Sequence, residues 1–189
     1  MDLLNVFSAF GLSASAGLNA YIPLLIVALV AKFTNLIQLS KPWDLLTSWW
    51  VIGVLVVLSI VEFFADKIPA VNHINDVIQS VVRPAAGAIL FAASAKVITH
   101  VDPILSLALG LLVSGSVHAV KAVAVRPAVT ATTAGIGNVP VSILEDLIST
   151  GLTILSLIVP VLIAFLLLFI ATWIIWRLLR RRVTYTTHP

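Results

Sequence analysis

The residues able to do chemistry fall into two groups along this chain. Glu62, Asp66, Lys67, Asp76 and Arg83 form the first, with His73 among them; His118, Lys121, Arg126, Glu145 and Asp146 form the second. Arg-Pro-Ala occurs in both, at residues 83–85 and 126–128. Arginine offers planar, bidentate donors to a carboxylate or phosphate, so Arg83, Arg126 and the ammonium of Lys121 are the candidate binders of an anionic group. Glu62, Asp66, Lys67, Asp76, Glu145 and Asp146 are candidates to orient those bases or to carry a proton or an ion. Asn19 and His118 are candidates to line the path. Two readings of these charges stand side by side: a ligand site, or structural ion pairs in which Glu62 and Asp66, one helical turn apart, hold Arg83 or Arg126. His118 reads equally as a packed, hydrogen-bonded histidine.

Catalytic signatures are missing. The chain has no His-Glu-x-x-His, no Gly-x-Ser-x-Gly and no phosphate-cradling glycine loop, and Gly135-Ile-Gly137 is too short to serve as one. The 189 residues contain no cysteine, which excludes disulfides, thiolate nucleophiles and cysteine metal sites. We therefore expect no enzyme, no metal and no cofactor. An intramembrane enzyme using Glu62 or His118 as base is the weakest of the alternatives.

The elements that must position these groups are apolar. The chain is 60% hydrophobic and 10% charged, against roughly a quarter charged in soluble domains. Its mean hydropathy is +1.14. A water-facing surface cannot be built from this supply, so the fold class expected is an all-α, polytopic transmembrane bundle in a single domain, residues 1–189. Residues 3–31 carry no charge but include Gly11, Gly17, Asn19 and Pro23, which predicts tight packing or a helix broken between residues 17 and 23. Residues 32–47 read as a loop, followed by Trp49 and Trp50 at an interfacial position. Further spans are expected at 51–64, 84–98, 105–125 and 141–176, the last kinked at Pro160. Between the second and third, Val71, Ile74, Ile78 and Val82 keep helical spacing, an amphipathic or re-entrant helix opened by Pro69. A turn is expected at 100–103. Residues 126–140, rich in Gly, Thr and Pro, form a structured cap or a gate. Five spans and the amphipathic piece result.

Arg177, Arg180, Arg181 and Arg182 follow the last span, and residues 177–189 read as a basic cytoplasmic tail near anionic headgroups. No basic face with interleaved aromatics exists elsewhere, which argues against nucleic acid. Asp2 and the lack of a positive n-region argue against a cleaved signal. Counting back from the tail places Lys32, Lys41 and Lys96 on the cytoplasmic side and the charged groups on the other. Residues 11–20 (GLSASAGLNA) align without a gap to residues 110–119 (GLLVSGSVHA). Under this count the two segments run oppositely, which points to an inverted repeat with halves 1–83 and 84–176. The alternative is that small-residue membrane helices resemble one another because close packing favours Gly, Ala and Ser.

GLNAYIPLL, EFFADKIPAVNHINDVIQSVVRPAAGAIL, HAVKA and SILEDL together resemble a bacterial membrane family, the domain of unknown function 4126 family. Glu62, Asp66-Lys67, Pro69, Arg83-Pro84 and Gly87 follow its pattern, while Asn72 stands where that pattern has an acid. The resemblance covers residues 7–158 and implies a small inner-membrane protein with no known activity. From the residues, the expectation is a small transporter or channel for an anionic or zwitterionic solute or a lipid headgroup, in the inner (plasma) membrane, its partners the bilayer and a second copy or a membrane complex. The alternative is a non-transporting structural or assembly subunit of such a complex.

Overall fold

The computed structural model describes residues 2–67, 69–95, 102–158 and 160–183. Lys96, His100 and the tail beyond Val183 lie outside the described residues, as does the side chain of His73. The described residues are mostly helical, without strands: α1 (Asp2–Leu18), α2 (Tyr21–Phe33), a short 3-10 turn (Trp43–Thr47), α3 (Trp49–Ala65), α4 (Pro69–Ala95), α5 (Pro103–Val120), α6 (Arg126–Thr133), α7 (Asn138–Ile158) and α8 (Pro160–Val183). A π-helical stretch, Lys121–Val125, joins α5 to α6, so that Pro103–Thr133 forms one 31-residue rod. Asn75–Ser94, Pro103–Thr133 and Asn138–Ile158 are long and apolar enough to cross a membrane.

The break expected between residues 17 and 23 falls at Asn19 and Ala20. There the chain reverses. Ala20 lies beside Glu62 near the end of α3, while Lys32 stacks over Trp49 at its start, so α2 and α3 are antiparallel. Contacts of α4 fix the rest: Arg83 bonds Glu62 and Asn75 bonds Asp66, which makes α3 and α4 antiparallel, and Phe10 packs on Phe91 while Ser13 meets Gly87, which makes α1 and α4 antiparallel. α1 and α2 are therefore the two arms of a hairpin whose tip carries Asn19. At 1.5 Å per residue the arms are about 26 and 20 Å long, each short of the roughly 30 Å hydrocarbon core.

This hairpin corrects two expectations. Residues 3–31 are two opposed helices rather than one span. Consequently the aligned segments run in the same direction: Ser13 Oγ donates to the Gly110 carbonyl, and Gly17 faces the Ser114 carbonyl at the same offset of 97 residues. Two parallel helices are not related by inversion, and the inverted-repeat reading of these segments does not hold. The segments do share one feature. Each ends at an interruption, α1 at Asn19-Ala20 and α5 at the π stretch.

α4 supplies a third correction. The amphipathic piece and the following span are one helix, with Pro84 inside it rather than at its start. Pro84 removes one backbone donor, yet the helix runs on to Ala95; next to the proline, the Arg83 carbonyl accepts from Ser114 Oγ of α5 at 2.7 Å. α7 ends at Ile158 and α8 begins at Pro160; the junction at residue 159, where a kink was expected, lies outside the described residues. The 126–140 stretch is mostly the helix α6, closed by a left-handed turn at Ala134 (φ 51°) and Gly135 (φ 88°).

The centre of the bundle is α1 between α4, α5 and α7, packed through small residues and hydroxyls. Ala9, Ala16, Ser13 and Ser15 are fully buried. Ser8 Oγ donates to the Ser156 carbonyl (2.6 Å), Ser149 Oγ to the Ser15 carbonyl (2.9 Å) and Thr153 Oγ1 to Ser15 Oγ (3.0 Å). Between apolar helices in lipid, such close packing and hydroxyl bonds replace the hydrophobic drive that lipid cannot supply. Apolar faces are turned outward instead, including Val54, Val57 and Ile60 of α3 and Leu144, Leu147 and Ile148 of α7.

A methyl group at Gly110 would lie 2.5 Å from the Gly87 carbonyl and 2.6 Å from Phe91 Cβ, whereas one at Gly53 meets nothing within 4 Å. Gly110→Ala should therefore lower the unfolding free energy in mild detergent by about 1–3 kcal/mol, and Gly53→Ala, inside α3 and facing open space, should not lower it. Thermal or denaturant unfolding of the two variants checks this. Equal effects would contradict the α4–α5 packing.

Candidate functional site

The tip of the hairpin leaves helix ends in the protein interior, and polar side chains satisfy them. Asn19 Oδ1 accepts from the N–H groups of Tyr21 (3.1 Å) and Ile22 (3.0 Å), the first unpaired donors of α2. Lys121 Nζ donates to the Leu18 carbonyl at the end of α1 (3.1 Å), a cation where the helix dipole favours one. Lys121 reaches inward from the π stretch, six residues ahead of Pro127. In a regular α-helix the proline ring would collide with the carbonyl four residues before it, and a widened turn relieves that conflict.

Around this tip the charged groups form one network. Asp66, at the C-terminal cap of α3, is its hub: Oδ2 lies 3.3 Å from Arg83 Nη2, 3.2 Å from Arg126 Nη2 and 3.7 Å from Lys121 Nζ, and Oδ1 accepts from Asn75 Nδ2 at 2.6 Å. Arg83 also holds Glu62 Oε1 through Nη2 (2.9 Å) and Nε (3.3 Å). Lys121 reaches Glu145 (2.7 Å), and Arg126 reaches Asp76 (3.4 Å) and Glu145 (3.7 Å). Asp146 receives Lys67 (3.1 Å) on one oxygen and Asn19 Nδ2 (2.9 Å) on the other. His118 Nδ1 lies 3.4 Å from Arg83 Nη1. A guanidinium only donates, so Nδ1 accepts and the ring proton sits on Nε2.

Burial grades this network from inside to outside. The Arg83 side chain is 0% exposed and that of Glu62 1%, whereas Lys67 and Asp76 reach 14% and 29%. The more exposed end opens into a cavity of about 880 Å³ between the α3–α4 turn, α4, α6 and the start of α7. Asp66, Lys67, Asp76 and Arg126 line its polar part, and Thr130 and Asn138 its rim. Carboxylates and cations alternate on that wall, an arrangement suited to a molecule carrying both signs of charge.

All eleven site residues expected from sequence meet here, drawn from the hairpin tip and from α3, α4, α5, α6 and α7. Their roles differ from the sequence reading in one respect. Arg83 and Lys121 are buried behind carboxylates and line no part of the cavity, so Arg126 and Lys67 are the bases that face it. Asn75 and Gln79 went unnoticed in the sequence, although they precede Arg83 at four-residue spacing and share its face of α4. Both are buried. Ser142, Ser149, Thr153 and Ser156 likewise continue the Glu145–Asp146 stripe along α7.

Removing one partner of a buried ion pair leaves the other uncompensated, typically at about 3–5 kcal/mol. Arg83→Ala should carry a loss of that order. Lys67→Ala, whose pair is partly open to the cavity, should cost about 1 kcal/mol or less. Unfolding of the two variants side by side checks the ranking, and similar losses would contradict the burial gradient.

Comparison with known proteins adds a family without a function. No curated protein and no solved structure matches the chain. The sequence profile described as Domain of unknown function (DUF4126) matches residues 6–181, nearly the whole length and all of the network, and the chain belongs to that family.

Proposed function

We propose that this protein is a small membrane transporter whose cavity accepts a zwitterionic group, an anionic carboxylate or phosphate beside an ammonium, carried by a soluble solute or by a lipid headgroup. The cavity of about 880 Å³, which ends on Arg126, Lys67, Asp66 and Asp76 beside the tip of the hairpin, carries this reading. Charges at membrane depth are costly and seldom kept without a use, and helices interrupted near the midplane are where transporters place their sites. Arg126 and Lys67 would take the anionic end, and Asp76 and Asp66 the ammonium. α1 and α2 are read as a re-entrant pair that enters and leaves on one side, and α3, α4, the α5–α6 rod and α7 as crossing helices. Lys32 and Trp49 then mark the membrane face opposite the cavity. We place the protein in the inner (plasma) membrane with the basic tail cytoplasmic, following the positive-inside tendency of Arg177 and its neighbours.

The absence of cysteine makes a direct test available. Single cysteines introduced at Thr130 or Ala131 should react with a charged, water-soluble maleimide in sealed vesicles, while one at Val57, on the lipid-facing side of α3, should not. In proteoliposomes, uptake of a labelled amino-acid mixture and transbilayer movement of a fluorescent phosphatidylethanolamine distinguish the two sources of the zwitterion. One of these arms should be active and should lose about tenfold or more in Arg126→Ala. Activity in neither arm, or full activity in Arg126→Ala, would overturn the proposal.

A further inference from the structure

The network holds more negative than positive groups. Its cations are Arg83, Lys121, Arg126 and Lys67, and its carboxylates Glu62, Asp66, Glu145, Asp76 and Asp146, four against five. Among the described residues, one carboxylate is thus without a compensating cation. His118 cannot supply it while Nδ1 accepts from Arg83. An uncompensated charge in such a site is strongly disfavoured, and the group neutralises instead.

Hydrogen bonding singles out which group that is. Asp66 is contacted by three cations and Asn75, and Asp146 by Lys67 and Asn19. Glu145 Oε2 has no hydrogen bond of good geometry but lies 2.7 Å from Lys121 Nζ. Glu62 differs. Its Oε1 takes both Arg83 donors and the Ala20 N–H (3.4 Å), whereas Oε2 is buried with no partner. The titratable and charged groups that face it or its neighbours Arg83 and Asp66 are Tyr21 of α2, Asp66 at the end of its own helix, Arg83 of α4, His118 of α5, Lys121 of the π stretch, Arg126 of α6 and Glu145 of α7. Gln79 Oε1, one turn from Arg83 on α4, is a second buried acceptor without a partner. A proton on Glu62 Oε2 would turn the unpartnered oxygen into a donor in a region that offers such an acceptor.

We infer that Glu62 carries one exchangeable proton and that this proton is coupled to entry of the anionic end of the solute, an inference that rests on the transport reading above. The proton comes from water in the cavity by way of Asp66, which lines it and lies one turn from Glu62. It binds Oε2, and the network changes from a net charge of −1 to neutral. In the charged state the surplus carboxylate competes for Arg83 and, through Asp66, draws Arg126 inward and repels an incoming anion. In the neutral state Arg126 is released to the solute. Solute and proton therefore move together, and binding strengthens as pH falls.

Infrared difference spectroscopy of the lipid-reconstituted protein, with no solute present, reads the proton itself. We expect a protonated-carboxyl C=O band at neutral pH that shifts in D2O and is lost in Glu62→Gln. That variant keeps the shape and the neutral charge of the protonated residue and so should fold. An absent band, or one that persists in Glu62→Gln, overturns the assignment whether or not the protein transports anything. In the active arm of the proteoliposome assay, a cavity-side acid gradient should accelerate wild-type movement about fivefold or more, a coupling of ordinary size, and should leave Glu62→Gln unaffected. Equal acceleration of both overturns the coupling, and no movement by the wild type retires the transport reading while the infrared band still decides the proton.

Discussion

Buried charge has to be neutralised and fully hydrogen-bonded, and in this protein that requirement falls mainly on Asp66. One carboxylate collects Arg83 from α4, Lys121 from the π stretch and Arg126 from the start of α6, with Asn75 on its other oxygen. Arg83 and Lys121, buried away from the cavity, have no alternative partner in water. The positions of three segments are thereby tied to the end of α3. The same bases then fix the remaining elements: Arg83 holds Glu62, Lys121 holds Glu145 and the end of α1, and Asp146 holds Asn19 at the hairpin tip.

Close packing makes this convergence feasible. α1 can lie among α4, α5 and α7 only because the facing positions are Gly, Ala and Ser, with Gly17, Gly87 and Gly110 at the contacts. The irregularities serve the same end. Pro84 and Pro127 follow Arg83 and Arg126 directly, so each Arg-Pro pair combines a long basic side chain with a locally weakened helix. At Pro127 the result is the π stretch that turns Lys121 inward. At the hairpin tip, the helix ends of α1 and α2 present a carbonyl and N–H groups that Lys121 and Asn19 take up.

Much of this was legible in the sequence, for physical reasons that can be named. Scarce charges in an apolar chain must pair, so Glu62, Asp66, Arg83, Lys121, Arg126, Glu145 and Asp146 could be assigned to one cluster before any geometry was available. The break near Asn19 followed from Gly17 and Pro23. Its consequence did not, because composition cannot distinguish a bent span from a hairpin. That one ambiguity reversed the direction assigned to α1 relative to α5 and produced the inverted-repeat reading. Pro84 was mistaken for a helix start, since local propensity does not separate a proline in a first turn from one inside a longer, tightly packed helix. Which bases face the cavity was equally hidden: Arg83 and Arg126 share the same tripeptide, and only the packing of α6 and the start of α7 separates them.

Asp66 and its bases act as one energetic unit, and a double-mutant cycle tests this directly. Unfolding would be measured in the same mild detergent for Asp66→Asn, Arg126→Gln and the double variant. If the network is a unit, each single change leaves opposite charge stranded, and the double variant is more stable than the sum of the two losses predicts, by about 1–3 kcal/mol. Additive losses would mean that the two residues merely lie near each other, and the account of the fold as organised around Asp66 would be wrong.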